Sequence, residues 1–190
     1  DGQDIINDSG SVSRNEGTDK LLFGADVLKE NVVFKAFGDD LYINFKDSNG
    51  DLTGDEILIV GGVYENLIEV YEFADGTKLT YDEMVKIIPP QEGSVENETF
   101  TGSRYDDVIY GNGGYDTIIT GYGNDTLHGG SGFDLLKGES GFDTYLFNKS
   151  DMHDVIYDYD NNTTTNYNNR IKFGSGITQN DIKITAEGSD

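Results

Sequence analysis

The chain has 190 residues, room for one or two domains, and carries 13 Lys and Arg against 36 Asp and Glu, a formal charge of −23. That balance cannot neutralise phosphates, so nucleic acid is excluded as a partner, and no apolar run approaches the roughly 20 residues needed to insert into a membrane. Its 12 Tyr and 10 Phe argue against a disordered acidic segment, and with no Cys to staple a fold, metal ions are the expected substitute.

In chain order, residues 1–9 read as the tail of a preceding roll block, with Asp1, Asp4 and Asp8 at spacings that recur later. Residues 10–90 read as a β-rich module. Strands are predicted at 20–24, 32–36, 40–45, 56–60 and 67–73 from their Val, Ile, Leu, Phe and Tyr content, with turns at Asn49-Gly50 and Asp75-Gly76. Thr80-Tyr81-Asp82-Glu83 is a capping box that opens a short helix through Ile88, and Pro89-Pro90 ends it. Asp47-Ser48-Asn49-Gly50-Asp51 looks like the start of an EF-hand loop. However, Leu52 stands where its glycine should and Leu58 where its Glu should, so a plain hairpin turn is expected.

Residues 91–146 carry a nine-residue period. Asp107, Asp116, Asp125, Asp134 and Asp143 fall at strict intervals, and Ile109, Ile118, Leu127, Leu136 and Tyr145 each follow two residues later. Glycines crowd the positions before each Asp, and Glu98 with Phe100 extends the pattern backwards as a degenerate half-turn. Residues 147–190 read as a capping segment and an incomplete second copy of the module. Asp151, Asp154, Ile156 and Asp158 repeat Asp1, Asp4, Ile6 and Asp8 at an offset of 150. Residues 169–174 repeat 19–24, and Ala186, Gly188 and Asp190 repeat Ala36, Gly38 and Asp40 at the same offset. Residues 161–169, nearly all Asn and Thr, are expected to form a loop.

A nonapeptide divides into a glycine-rich turn and a three-residue strand whose middle side chain alone faces inward. Two nonapeptides make one coil, so Asp107, Asp125 and Asp143 line one edge and Asp116 and Asp134 the other, about 4.8 Å apart along each. Carboxylates stacked so closely repel unless a cation lies between them. A hard ion with many oxygen ligands fits, one carboxylate from each turn completed by backbone carbonyls, and calcium suits this better than magnesium or zinc. Glycine allows the backbone to turn through positive φ and bring those carbonyls close. The single inward row is too thin to offset the ordering entropy of the segment, so the roll is expected to be unfolded without calcium. Asp154 is read as a further ligand that caps the Asp134 edge, and His128 and His153 as exposed and inert.

Five nonapeptides of GGxGxD type in register resemble the haemolysin-type calcium-binding repeats of RTX proteins. The resemblance implies an all-β fold, a right-handed parallel β-roll flanked by small β-rich modules with a short helix. It also implies a protein secreted through a Gram-negative type I system that folds on meeting extracellular calcium. Carried over by position, the ligands would be the five aspartates together with turn carbonyls of residues such as Gly111, Gly113, Gly121, Gly123, Gly129, Gly130, Gly132, Gly138 and Gly141. Tyr105 stands where a turn glycine is expected, which makes the Asp107–Asp125 site the weakest. The interleaved long repeats look most like those of a large RTX toxin of the iron-regulated self-processing type, or of an RTX adhesin. No catalytic motif appears, so no enzyme activity is expected. The partners expected are calcium ions and the rest of a parent polypeptide, the segment itself being monomeric. The alternative is a cell-surface adhesin module binding a host glycan or protein, with Tyr105, Tyr110, Tyr115 and Tyr122 as candidate stacking residues.

Overall fold

A computed structural model of the chain describes residues 3–6, 18–63, 68–158 and 169–185. Asp1, Asp8, residues 161–168 of the expected loop, and Ala186, Gly188 and Asp190 of the long repeat lie outside the described residues.

The module is built from β1 (Gln3–Ile6), β2 (Lys20–Leu22), β3 (Val32–Phe37), β4 (Asp40–Lys46), β5 (Leu52–Ile59), β6 (Val70–Glu72), β7 (Lys78–Thr80) and α1 (Tyr81–Val85). One sheet runs β1-β5-β4-β3 and a second β2-β6-β7. Phe34, Ala36, Leu41 and Ile43 are buried at alternate positions, as strands with one buried face require. They meet Tyr71 and Leu79 of the second sheet and Phe73 just after β6, with the Phe34 and Tyr71 rings edge to face at 5.4 Å. The residues of Asp47–Asp51 form a hairpin turn closed by the Asp47 amide on the Asp51 carbonyl (2.8 Å), and Asp47 Oδ1 is taken by the amides of Asn49 and Asp51.

The Thr80–Glu83 capping box is present in both directions. The helix it opens ends at Val85 rather than Ile88, because the prolines disfavour helical backbone before them. Ile87 and Ile88 instead make three-residue turn bonds to Met84 and Val85. A strand not expected from the sequence, β7, pairs with β6 across the Asp75-Gly76 turn. The segment expected to be a roll tail is here an edge strand. Its residues Gln3 to Ile6 pair in parallel with Glu56 to Ile59 of β5, and Ile6 packs on the module core.

The roll comprises β8 (Gln91–Glu92), β9 (Thr99–Thr101), β10 (Val108–Tyr110), β11 (Gly113–Gly114), β12 (Thr117–Tyr122), β13 (Thr126–His128), β14 (Ser131–Gly132), β15 (Leu135–Ser140), β16 (Thr144–Phe147), β17 (Val155–Ile156) and β18 (Arg170–Phe173). Two parallel sheets, β8-β10-β13-β16-β18 and β9-β12-β15-β17, face each other, and β11 pairs with β14 in the turns. Ile109 stands beside Leu127 and Leu127 beside Tyr145, while Phe100, Ile118 and Leu136 align on the other sheet. Each coil is thus 18 residues. These six side chains form the roll's own core. The architecture is all-β, a parallel β-roll beside a β-rich module, with one short α-helix among the described residues. The first coil joins the module through the Gly38 amide on the Thr101 carbonyl (3.0 Å) and the Tyr81–Tyr105 ring contact. Among the described residues no helix is long and apolar enough to cross a membrane.

Candidate metal centre

The aspartates are tied into two ladders. Along one edge the amides of Glu98, Asp116 and Asp134 donate to Oδ1 of Asp116, Asp134 and Asp154, at 2.8, 2.8 and 3.3 Å. Along the other, the amides of Asp107, Asp125 and Asp143 donate to Oδ1 of Asp125, Asp143 and Asn169, at 2.8, 2.9 and 2.8 Å. One carboxylate oxygen of Asp116, Asp125, Asp134, Asp143 and Asp154 therefore fixes the stacking of the coil before it. The period sets this up, because residue n and residue n+18 occupy the same place in successive coils.

The second oxygens are left over. Oδ2 of Asp116, Asp125, Asp134 and Asp154 is buried with no hydrogen-bond partner, a costly state for a charged group. The surroundings supply oxygen rather than donors. A Cβ on Gly111 would lie 2.4 Å from Asp116 Oδ2 and 2.5 Å from the Gly129 carbonyl oxygen, and one on Gly129 would lie 2.3 Å from Asp134 Oδ2. Only glycine leaves this space for a carboxylate beside a carbonyl. Burial pushes the Asp116 carboxyl above its ordinary value. It pushes Asp125 up to about 8, with Asp107 and Asp143 adding like charge, and Asp154 up to about 6.

The first coil differs. Oε2 of Glu98 accepts the Ser94 amide at 2.6 Å, and Oδ2 of Asp107 accepts the Ser103 amide at 2.6 Å and its hydroxyl at 3.1 Å. Within the nonapeptides the residue four before the acid marks the difference. Asn112, Gly121 and Gly130, four before Asp116, Asp125 and Asp134, have positive φ of 71°, 98° and 94°. Ser94 and Ser103 are not in that left-handed region, and their amides reach the acid. Asp107 is half-buried, and burial raises its carboxyl against the Ser103 bonds.

The nine glycines expected at the site divide into two groups. Gly111, Gly129 and Gly138 pack against Oδ2 of Asp116, Asp134 and Asp143, and Gly132 and Gly141 lie against the Gly114 and Gly123 carbonyls of the preceding coil, with Oδ1 of Asp134 and Asp143 beyond. Gly113, Gly121, Gly123 and Gly130 instead lie against the preceding or following coil, near Ser131, Ser103, Tyr105 and Asn112. Asn169 escaped the sequence reading because it follows Asp143 by 26 residues, outside any nine-residue count. Thr120, buried where the other turns have glycine, also breaks the pattern, and its hydroxyl donates to the Gly138 carbonyl at 3.2 Å. His128 is not an exposed, inert residue. Its Nε2 lies 2.9 Å from Oδ2 of buried Asp151, because the turn after Phe147 brings that acid back over the sheet. His153 is exposed and packs on Phe133.

Among the described residues no three acidic or histidine side chains converge on one point. Backbone carbonyls must therefore complete any coordination sphere, the donor set that suits calcium and not zinc. Buried unpartnered carboxylate oxygens and glycine-lined carbonyl pockets fit that ion.

Comparison with known proteins agrees over this segment. Residues 92–127 and 116–145 match the RTX calcium-binding nonapeptide repeat. No curated protein matches the chain. Among solved structures, the extracellular lipase LipA from Serratia marcescens is similar at 18% identity with a TM-score of 0.34, covering 96% of this chain and 33% of the lipase. The chain thus spans about a third of that lipase's length. Residues 92–145 are RTX calcium-binding nonapeptide repeats of the haemolysin type, and calcium is the ion such repeats bind.

Proposed function

We propose that this chain is a calcium-responsive folding module of a larger secreted, toxin-like protein, without enzyme activity of its own. The observation that carries the reading is the set of buried, unpartnered Oδ2 atoms of Asp116, Asp125, Asp134 and Asp154. Calcium, when bound, supplies the positive charge that makes their burial favourable. Asp107 and Asp143 belong to the same ligand set, as do the turn carbonyls. Without the ion the ladder concentrates like charge in a poorly solvated turn. The chain then stays extended in calcium-poor cytosol, which suits export through a type I system of a Gram-negative bacterium, and folds outside. Isothermal titration calorimetry with calcium, and with magnesium as control, tests the reading. Several calcium ions bound per chain with release of protons support it, and no heat beyond dilution would overturn it.

A second reading, an adhesin module, is favoured by one feature. Tyr115, Phe133 and His153 form an exposed ring ladder on successive coils, with Tyr115 and Phe133 edge to face at 5.7 Å and Phe133 and His153 at 5.4 Å. Such a surface suits stacking on a sugar face. Calcium-dependent glycan binding lost in Tyr115→Ala and Phe133→Ala would favour this reading over the first.

A further inference from the structure

The 150-residue repeat places two copies of the same pair of strands in different surroundings. β1 and β2 recur in sequence as the segments that hold β17 and β18, with Ile5 and Ile6 matching Val155 and Ile156, and Lys20 and Gly24 matching Arg170 and Gly174. The first pair lies on the module, where β1 is an end strand beside β5 and β2 an end strand beside β6. The second pair ends the two roll sheets, β17 beside β15 and β18 beside β16.

Successive residues of a strand turn their backbone N–H and C=O to opposite edges, so the hydrogen bonds report which edge each copy uses. On the module, the Ile6 carbonyl accepts from Val60 at 3.0 Å, so Ile6 faces β5 and Ile5 faces outward. On the roll, Val155 and Tyr157 donate to the Asp134 and Leu136 carbonyls at 2.8 and 2.9 Å, so Ile156 faces outward. The other pair behaves alike. Asp19 and Phe23 bond to β6 and its flank, Asp19 through its carbonyl and Phe23 through its amide, whereas Arg170 and Gly174 donate to the Asp143 and Phe147 carbonyls of the roll. In both pairs the two copies use opposite edges of the same strand. The side chains on these strands are also uncovered, with Ile5, Leu22, Val155, Ile171 and Phe173 all exposed.

We infer that these are splice strands, each with one edge for the calcium roll before it and the other for the module after it. The free edges of β1 and β2 are the docking surface for the last coil of a preceding roll of this same type. The free edges of β17 and β18 take strands equivalent to β5 and β6 of a following module. Tandem units then share two continuous sheets. Asp19, the counterpart of Asn169, accepts the amide of the last roll aspartate, and Asp4, the counterpart of Asp154, accepts that of the preceding one. The register carries this argument, independently of which atoms ligate calcium.

Residue-resolved hydrogen exchange in calcium tests it on two extended chains, residues 1–190 continued by 41–190, and residues 91–150 placed ahead of 1–190. In the 190-residue chain the amides of Val155, Arg170 and Gly174 should exchange slowly and those of Ile5, Lys20, Ile156 and Ile171 fast. In the first extended chain Ile156 and Ile171 should slow by at least about tenfold, and in the second Ile5 and Lys20 should do the same. Outward amides that keep their single-chain rates in both extended chains would overturn the inference. So would fast exchange at Val155, Arg170 and Gly174 in the 190-residue chain.

Discussion

The amide of Asp125 donates to Oδ1 of Asp143, 18 residues later, at 2.9 Å, while Asp125 itself receives the Asp107 amide at 2.8 Å. Asp125 is therefore a middle rung, held from both sides by one oxygen and its own amide, with the other oxygen buried and unpartnered. Asn169 fills the same rung one coil further on, so an amide side chain can keep the backbone bond. The substitution Asp125→Asn should accordingly preserve the ladder and remove only the charge that faces the ion. It should raise the calcium midpoint of folding by roughly tenfold. Asp107→Asn should raise it by only about threefold or less, because Ser103 already satisfies the second oxygen of Asp107. Equal shifts in the two titrations would show that Asp107 and Asp125 carry the same share of the ion.

Gly129 and Gly24 make a matched pair for testing the glycine-lined space. A methyl on Gly129 would meet Asp134 Oδ2 at 2.3 Å, whereas one on Gly24 meets nothing within 4 Å. Neither residue has a positive φ, so the contrast is one of space alone. Gly129→Ala should destabilise the calcium-loaded chain by about 1–3 kcal/mol, read by urea denaturation, and Gly24→Ala should leave it close to the parent.

Acid should partly replace calcium. Burial raises Asp125 to about 8 and Asp154 to about 6 in the folded chain, against an ordinary carboxyl value of 3.8. A group raised on folding stabilises the folded state below its unfolded value and loses that contribution as pH climbs through its folded value. In chelator, β-structure measured by far-ultraviolet circular dichroism should therefore increase as pH falls from about 8 to about 5. A loss of β-structure over that range would contradict the burial of these carboxylates.

Tyr145 fastens the end of the roll. Its hydroxyl accepts the Gly138 amide and donates to Asp158 Oδ2, both at 2.9 Å, and the ring is buried among the inward row. Tyr145→Phe keeps the ring and strands the Gly138 amide, a loss of about 1–2 kcal/mol. Thermal unfolding in saturating calcium should show it as a lowered midpoint, and an unchanged midpoint would mean that the hydroxyl contributes nothing to the cap.

The parts of this fold governed by a fixed period were legible in the sequence. The five aspartates and the row from Ile109 to Tyr145 occupy the ladders and the core because nine residues close half a coil. The capping box at Thr80 was legible for a similar reason, since both its bonds span only three residues. What depends on a change of step was not. Asn169 reaches its rung after a step of 26 residues, set by a turn whose length no repeat dictates, whereas Asp154, 20 residues after Asp134, was expected on the edge it occupies. His128 looks outward by its repeat position and is half-covered only because Asp151 returns over it. The segment around Ile5 and Ile6 carries the sequence of a roll cap, yet it pairs here with β5, since the same strand has an edge suited to each neighbour. The left-handed backbone at Asn112, which frees Oδ2 of Asp116, is also invisible to a composition-based reading of glycine positions.

Far-ultraviolet circular dichroism during a calcium titration, with magnesium as control, tests the central claim most directly. The unpartnered carboxylates predict little roll structure in chelator and a cooperative gain of β-structure at about 10⁻⁴–10⁻³ M calcium, with no comparable gain in magnesium. A spectrum already complete in chelator and unchanged by calcium would contradict the account, because the buried aspartates would then be stable in the roll without any ion.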